Sequence, residues 1–93
     1  MIQTFADKET KSVWDGTISR RFPREIQRTA KRKLVSLHSV LDLEELRIPP
    51  GNRLEKLSGS RDGQWSIRIN DQWRICFRWS GHEAYNVEMT DYH

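Results

Sequence analysis

The chain has 93 residues, room for one domain with one core, because a chain of this size buries only about two-thirds of the surface its unfolded form exposes. Hydrophobic residues make up 35% and charged residues 31%, so the core must be economical, but four tryptophans, three phenylalanines and two tyrosines supply bulky packing and argue for an ordered fold. The net charge of +3 and pI near 9.4 favour an anionic partner, the single cysteine excludes an internal disulfide and lacks the companions of a zinc site, and no apolar run suits a membrane span or signal segment; the reading is a cytoplasmic protein with no metal or cofactor.

Met1–Phe5 reads as a short strand, and Asp7 then caps a helix running to about Asp15, with Gly16 where helices commonly end. Val13, Trp14 and Ile18 are its expected core contacts. A second helix begins near Pro23, a residue tolerated in a first turn, and runs to about Val40. Ile26, Ala30, Leu34, Leu37 and Leu41 recur at helical spacing and form one apolar stripe. Seven of the sixteen Lys and Arg residues fall between Arg20 and Lys33, opposed there only by Glu25. Of these, Arg24, Arg28, Lys31 and Arg32 lie off the stripe and are candidates for nucleic-acid contact, the plain alternative being a solvated charged face. The helix lacks the aromatic-rich apolar face of a membrane-surface anchor.

Asp42 and Glu45 form a capping-box pattern for a short helical turn through Leu46. Arg47–Asn52 contains two prolines and reads as a non-helical connector. Arg53–Leu57 reads as a strand, and residues 58–63 as a turn. Trp65, Ile67 and Ile69 then alternate with polar residues, as do Trp73, Ile75, Phe77 and Trp79. A three-residue loop over 70–72 pairs Ile69 with Trp73, Ile67 with Ile75 and Trp65 with Phe77, whereas a two-residue loop would set Ile67 beside Arg74. The favoured register also faces Arg68 with Arg74, an unfavourable pairing that invites an anion.

A second turn at 80–83 leads into a closing strand with Tyr85, Val87 and Met89 on the apolar face and Asn86, Glu88 and Thr90 on the other. Loops of three or five residues both preserve the match and set Arg74 beside Glu88 or Thr90; the longer one pairs Trp79 with Tyr85 and Gln72 with Tyr92. The expected architecture is a single α+β domain over 1–93. Its helices pack on the apolar face of a mainly antiparallel sheet with an N-terminal strand, and the arginine-bearing face stays open.

That face gathers Arg68, Arg74 and Arg78, with Arg61 or Lys56 from adjoining segments, and the terminal Asp91, Tyr92 and His93. Arginine binds phosphate bidentately and stays charged, and an unperturbed histidine titrates near neutrality. These are the parts of a metal-free ribonuclease, which needs a base for the RNA 2′-hydroxyl, cations for the charge developing on phosphorus, and an acid for the leaving oxygen. No contiguous catalytic motif accompanies them. His38 and His82 read as structural or surface residues, and Cys76 as a space filler.

Pro50-Gly51-Asn52-Arg53-Leu54, Leu57-Ser58-Gly59, Gly63-Gln64-Trp65-Ser66-Ile67, Asn70-Asp71-Gln72-Trp73-Arg74-Ile75-Cys76-Phe77 and the ending Asp91-Tyr92-His93 resemble the HigB branch, the plasmid-maintenance killer proteins, of the RelE superfamily of bacterial toxins. The second half carries the specific matches; the helical half matches in pattern. The resemblance implies a small α+β toxin that cuts messenger RNA in the ribosomal A site without metal. It also implies neutralisation by a HigA-type helix-turn-helix antitoxin, through which operator DNA would be contacted. It places catalytic roles on Asp91, His93, Arg74 and Tyr92; the open face beside them offers Arg68, Arg61 and Arg78 as RNA contacts. Some HigB toxins carry His and Lys on the strand before the hairpin, where this chain has Glu55 and Ser58; toxins of the GraT kind resemble it in this, which implies weaker toxicity. The alternative is a non-catalytic RNA-binding or regulatory module that acts mainly through its antitoxin.

Overall fold

Local chemistry sets the helices. In the computed structural model, which describes residues 1–91, Asp7 accepts from the Thr10 amide at 2.7 Å and opens α1, Lys8–Trp14. Gly16, at φ +86°, ends it, with its own amide on the Val13 carbonyl and the Thr17 amide on the Ser12 carbonyl. The second helix, α2, spans Arg24–Ser39 and buries Ile26, Ala30, Leu34 and Leu37, as the stripe predicts. Leu41 does not extend the stripe and is 69% exposed. The helix stops first, because the Asp42–Glu45 capping box engages: Glu45 Oε2 accepts from the Leu41 and Asp42 amides at 2.9 and 2.8 Å, and a 3₁₀ turn over Leu43–Arg47 follows. Ile18, expected in the core, is 59% exposed in the loop between the helices. Gln27, on α2, is buried instead and staples that loop, accepting from the Ser19 amide and donating to the Ser19 and Phe22 carbonyls.

Four antiparallel strands follow in spatial order β1-β2-β3-β4: β1 Glu55–Lys56, β2 Trp65–Arg68, β3 Trp73–Ser80 and β4 Glu83–Asp91. The central hairpin has the three-residue loop, with Trp65 opposite Phe77, Ile67 opposite Ile75 and Arg68 opposite Arg74. Asn70 Oδ1 accepts from the Gln72 and Trp73 amides and fixes this turn. β1 is shorter than the expected strand, because Pro50–Asn52 forms a 3₁₀ turn where no helical structure was expected. That turn throws Arg53 into the left-handed region at φ 45°. Proline fits the first position of such a turn, where no amide donor is needed.

The β3–β4 pairing departs from both expected loops. The turn has two residues, Gly81 and His82, with Ser80 opposite Glu83 and Arg78 opposite Tyr85. The register then shifts, so that Cys76 faces Glu88 and Arg74 faces Thr90. One extra residue of β4 is taken up at Asn86, in left-handed backbone at φ 53°. Asparagine tolerates that conformation, and its amide, freed from the ladder, donates to Thr4 Oγ1 at 2.8 Å. The bulge puts Ala84 on the core face, fully buried, and turns Tyr85 to the arginine face, where the uniform alternation had it apolar-side.

The N-terminal segment lies parallel to β4 as two bridges, Ile2 with Ala84 and Phe5 with Val87, interrupted where the bulge passes. Helices and sheet meet in one apolar cluster of Val13, Phe22, Ile26, Ala30, Leu34 and Leu37 with Ile67, Ile75, Phe77, Val87 and Met89. Trp14 packs at its edge against His38 and Phe5, with ring centroids 5.0 and 6.4 Å away. No described helix is long and apolar enough to cross a membrane.

Candidate active site

Strand parity builds the site. Ile75, Phe77 and Trp79 point to the helices, so Arg74, Cys76 and Arg78 point away from them, joined across the sheet by Ser66 and Arg68 of β2 and by Tyr85, Glu88 and Thr90 of β4. The floor of this face is closed: Ser66 and Cys76 are fully buried beneath their charged neighbours. Burial pushes the Cys76 thiol up. Arg61 and Arg74 pull it down and Glu88 adds to the rise. A thiol so placed is a space filler rather than a nucleophile.

The facing arginines resolve their repulsion with internal acceptors. Arg68 pairs with Asp71 in the hairpin loop. Arg74 donates from Nε to Ser66 Oγ at 2.8 Å and from Nη2 to the Arg53 carbonyl at 2.7 Å. Two fixed bonds on one edge hold the guanidinium plane and leave its Nη1 hydrogens for an incoming anionic oxygen. The Arg53 carbonyl is aimed by the turn before it. Asn52, 1% exposed, donates from Nδ2 to the Leu46 and Ile48 carbonyls at 3.0 and 3.4 Å, and its Oδ1 accepts from Lys33 Nζ. Partial burial, and then the charge of Arg32, hold the Lys33 ammonium below its ordinary pKa. Arg61 spans the face, donating to Gln64 Oε1 at 3.0 Å and pairing with Glu88 at 2.9 Å.

Arg61, Arg68, Arg74 and Arg78 are thus brought together on one face. Asp91 lies at the end of the sheet opposite Trp73, one step beyond the Arg74–Thr90 pair, so strand parity sends its side chain off on the Trp73 side and not onto the arginine face where it was expected; it accepts from Gln72 Nε2 at 2.8 Å. Tyr92 and His93 lie outside the described residues. Glu55 is opposite Ser66, whose hydroxyl holds Arg74, so the carboxylate of the edge strand borders the same arginine.

The basic helix is elsewhere. α2 packs on the opposite face of the sheet, so Arg24, Arg28 and Arg32, all exposed, form a surface separate from the sheet arginines. Lys31 is committed internally, donating to the Trp14 carbonyl at the end of α1 with its Nζ 4.3 Å from the centre of the Trp14 ring. Sequence reading placed Glu88 on the arginine face by strand alternation but gave it no role, and passed over Ser66, Asn52 and Tyr85 as site residues. Parity with Arg68 was a usable signal for Ser66; nothing local marks Asn52 or Tyr85.

A family model for the RelE-like toxin of the type II toxin-antitoxin system HigB matches residues 3–93. The chain belongs to this family. The toxin is 39% identical over 90 residues to "Toxin HigB-1" of Vibrio cholerae, covering 96% of this chain and 95% of that relative. It is 29% identical over 97 residues to "Endoribonuclease HigB" of Proteus vulgaris, covering both chains fully. Among solved structures it resembles a YafQ variant from E. coli at TM-score 0.60 and 13% identity, covering 98% of this chain and 91% of that one. It also resembles the YoeB–YefM complex of Staphylococcus aureus at TM-score 0.56 and 15% identity, covering 100% and 95%. These likenesses establish the α+β, RelE-like fold of the toxin.

Proposed function

We propose that this toxin is an endoribonuclease that cuts messenger RNA in the ribosomal A site, with arginine charge doing the work at phosphorus and no metal required. The observation that carries the reading is Arg74, a permanently charged group on a closed sheet face, oriented by Ser66 and by the Arg53 carbonyl, with hydrogens left for a phosphate oxygen. Such a group adds charge stabilisation where the attack of the 2′-hydroxyl builds negative charge on the phosphoryl oxygens. Asp91 and His93 move the protons at the two reacting oxygens, Tyr92 stacks on a base or orients His93, and Arg68, Arg61 and Arg78 hold the strand. Arg24, Arg28 and Arg32 lie against ribosomal RNA. The name of the Proteus vulgaris relative, an endoribonuclease, supports the chemistry, and the YoeB–YefM complex supports an antitoxin partner, here of the HigA helix-turn-helix type. Operator DNA is reached only through that antitoxin, and the working compartment is the cytoplasm.

Primer extension on ribosome-bound messages tests this. Arg74→Ala, which leaves no core cavity, should stay folded and lose on the order of 100- to 1,000-fold in cleavage, the scale for removing one preorganised donor. A folded variant lacking only His93 should lose about 100-fold or more. Cleavage at the wild-type rate by both variants would overturn the reading, and ribosome binding by the wild type without cleavage would leave an RNA-binding module.

A further inference from the structure

The cations of the sheet face differ in how their charge is already used. Arg61 pairs with Glu88, Arg68 with Asp71, and Arg74 rests on Ser66 and the Arg53 carbonyl. Arg78, exposed toward the far end of β3, has no ion pair or hydrogen bond among the described residues. It is nevertheless placed: its guanidinium lies across Gly63, so close that a β-carbon there would stand 2.6 Å from Nη1. Gly63 also holds φ +90°, a conformation that side chains rarely adopt.

Directly opposite Arg78 is Tyr85, half-buried on the same face, with no hydrogen-bond partner for its hydroxyl among the described residues. Tyr85 is there because of the Asn86 bulge. In an unbroken ladder it would share the core face with Val87 and Met89, two and four residues on. Bulges that re-aim a side chain cluster beside working sites. Tyrosine is a common strand residue and needs no ligand to explain it. An exposed cation and a half-buried ring on one face, at positions that the bulge pairs across the strands, are nevertheless the components of a stacking contact.

We propose that Arg78 and Tyr85 form a second contact for single-stranded RNA, in which the Tyr85 ring stacks on a base and Arg78 binds the adjoining phosphate. Arg78 is four strand residues from Arg74, about 13 Å along β3, so this contact takes a nucleotide other than the one held at Arg74. An aromatic face beside a cation suits any base, so the contact adds grip and register without sequence preference. The identity of the ligand as RNA rests on the cleavage reading above; the pairing of a free cation with a free ring does not.

The test is fluorescence anisotropy of the purified toxin with 2′-O-methyl RNA oligonucleotides of graded length, which bind but cannot be cleaved. Tyr85→Ala should weaken binding of the longer oligonucleotides about 5- to 150-fold, the range for one lost base–aromatic stack, while Tyr85→Phe stays near wild type. Arg78→Ala should lower the slope of log affinity against log salt by about 0.7, as for one phosphate contact on a single strand. Both losses should vanish on oligonucleotides too short to pass Arg74. Wild-type affinity for Tyr85→Ala, an equal loss at every length, or no affinity of the wild type for any of these strands would each overturn the proposal. So would weakened antitoxin binding with RNA affinity unchanged, which would make the patch a protein-docking surface. The circular dichroism spectrum and the Tyr85→Phe variant separate loss of the contact from loss of fold. The two readings also separate: full cleavage by both Arg74→Ala and the variant lacking His93, together with weakened binding by Tyr85→Ala, would overturn the cleavage reading and keep this one.

Discussion

Asn52→Ala tests whether the arginine site stands on a buried polar pedestal. The side chain makes two bonds to backbone carbonyls and accepts one from the Lys33 ammonium, all in a position 1% exposed. With about 1 kcal/mol for each neutral bond and 1.5–3 kcal/mol for the charged one, reduced for water entering the gap, the substitution should cost about 3 kcal/mol. That is a large share of the roughly 5–15 kcal/mol that holds a domain folded. At about 4–8 °C per kcal/mol for a chain this short, the thermal midpoint should fall by on the order of 12–24 °C. The effect should reach function as well, since releasing the turn frees the Arg53 carbonyl and removes one of the two acceptors that orient Arg74. Thermal and urea denaturation measure the first effect, and ribosome-bound message cleavage, well below the new midpoint, measures the second. A midpoint change under about 3 °C with an unchanged urea slope would refute the pedestal argument.

Other outcomes follow from the same geometry. Glu55→His should raise cleavage, because it removes a carboxylate from the border of Arg74 and adds a group able to carry positive charge; slower cleavage in the same primer-extension assay would place Glu55 outside the site. Exchanging Arg24 and Arg28 for Glu should change stability by no more than about 0.5 kcal/mol, both being exposed, while weakening ribosome co-sedimentation; unchanged sedimentation returns that surface to solvent. Cys76 should resist alkylation at neutral pH in the native toxin and react once urea opens it, since burial both hides the thiol and raises its pKa; comparable rates in the two states would contradict the closed floor. Hydrogen bonding from Gln3 and then from the N-terminal ammonium lowers the Glu83 carboxyl below its unfolded value. Its contribution is therefore present above the ordinary carboxylate range and lost as pH falls through the lowered folded value, so NMR titration should show the Met1–Gln3 segment loosening from β4 in acid, and pH-independent shifts there would refute the coupling.

What the sequence determined by itself lies within short windows. The α2 stripe, the Asp42–Glu45 box and the three-residue hairpin loop each depend on residues a few positions apart, where side-chain period and turn chemistry act directly. Parity along β3 likewise sorted Arg74 and Arg78 from Ile75 and Phe77 before any contact was known. Only the tertiary structure decided how those charges are used. Arg74 takes its acceptor from Arg53, 21 residues away, and Arg61 meets Glu88 across 27 residues, separations over which no local pattern carries information. It also sent the α2 cations to the face opposite the sheet arginines and turned Tyr85 outward. A bulge adds one residue without altering the sequence's alternation, so the apolar look of Tyr85, Val87 and Met89 could not reveal that Ala84 would take the core position and Tyr85 the other face. The ladder shifted there because Asn86 accepts left-handed backbone and Thr4, from the far end of the chain, supplies the acceptor its amide then lacks.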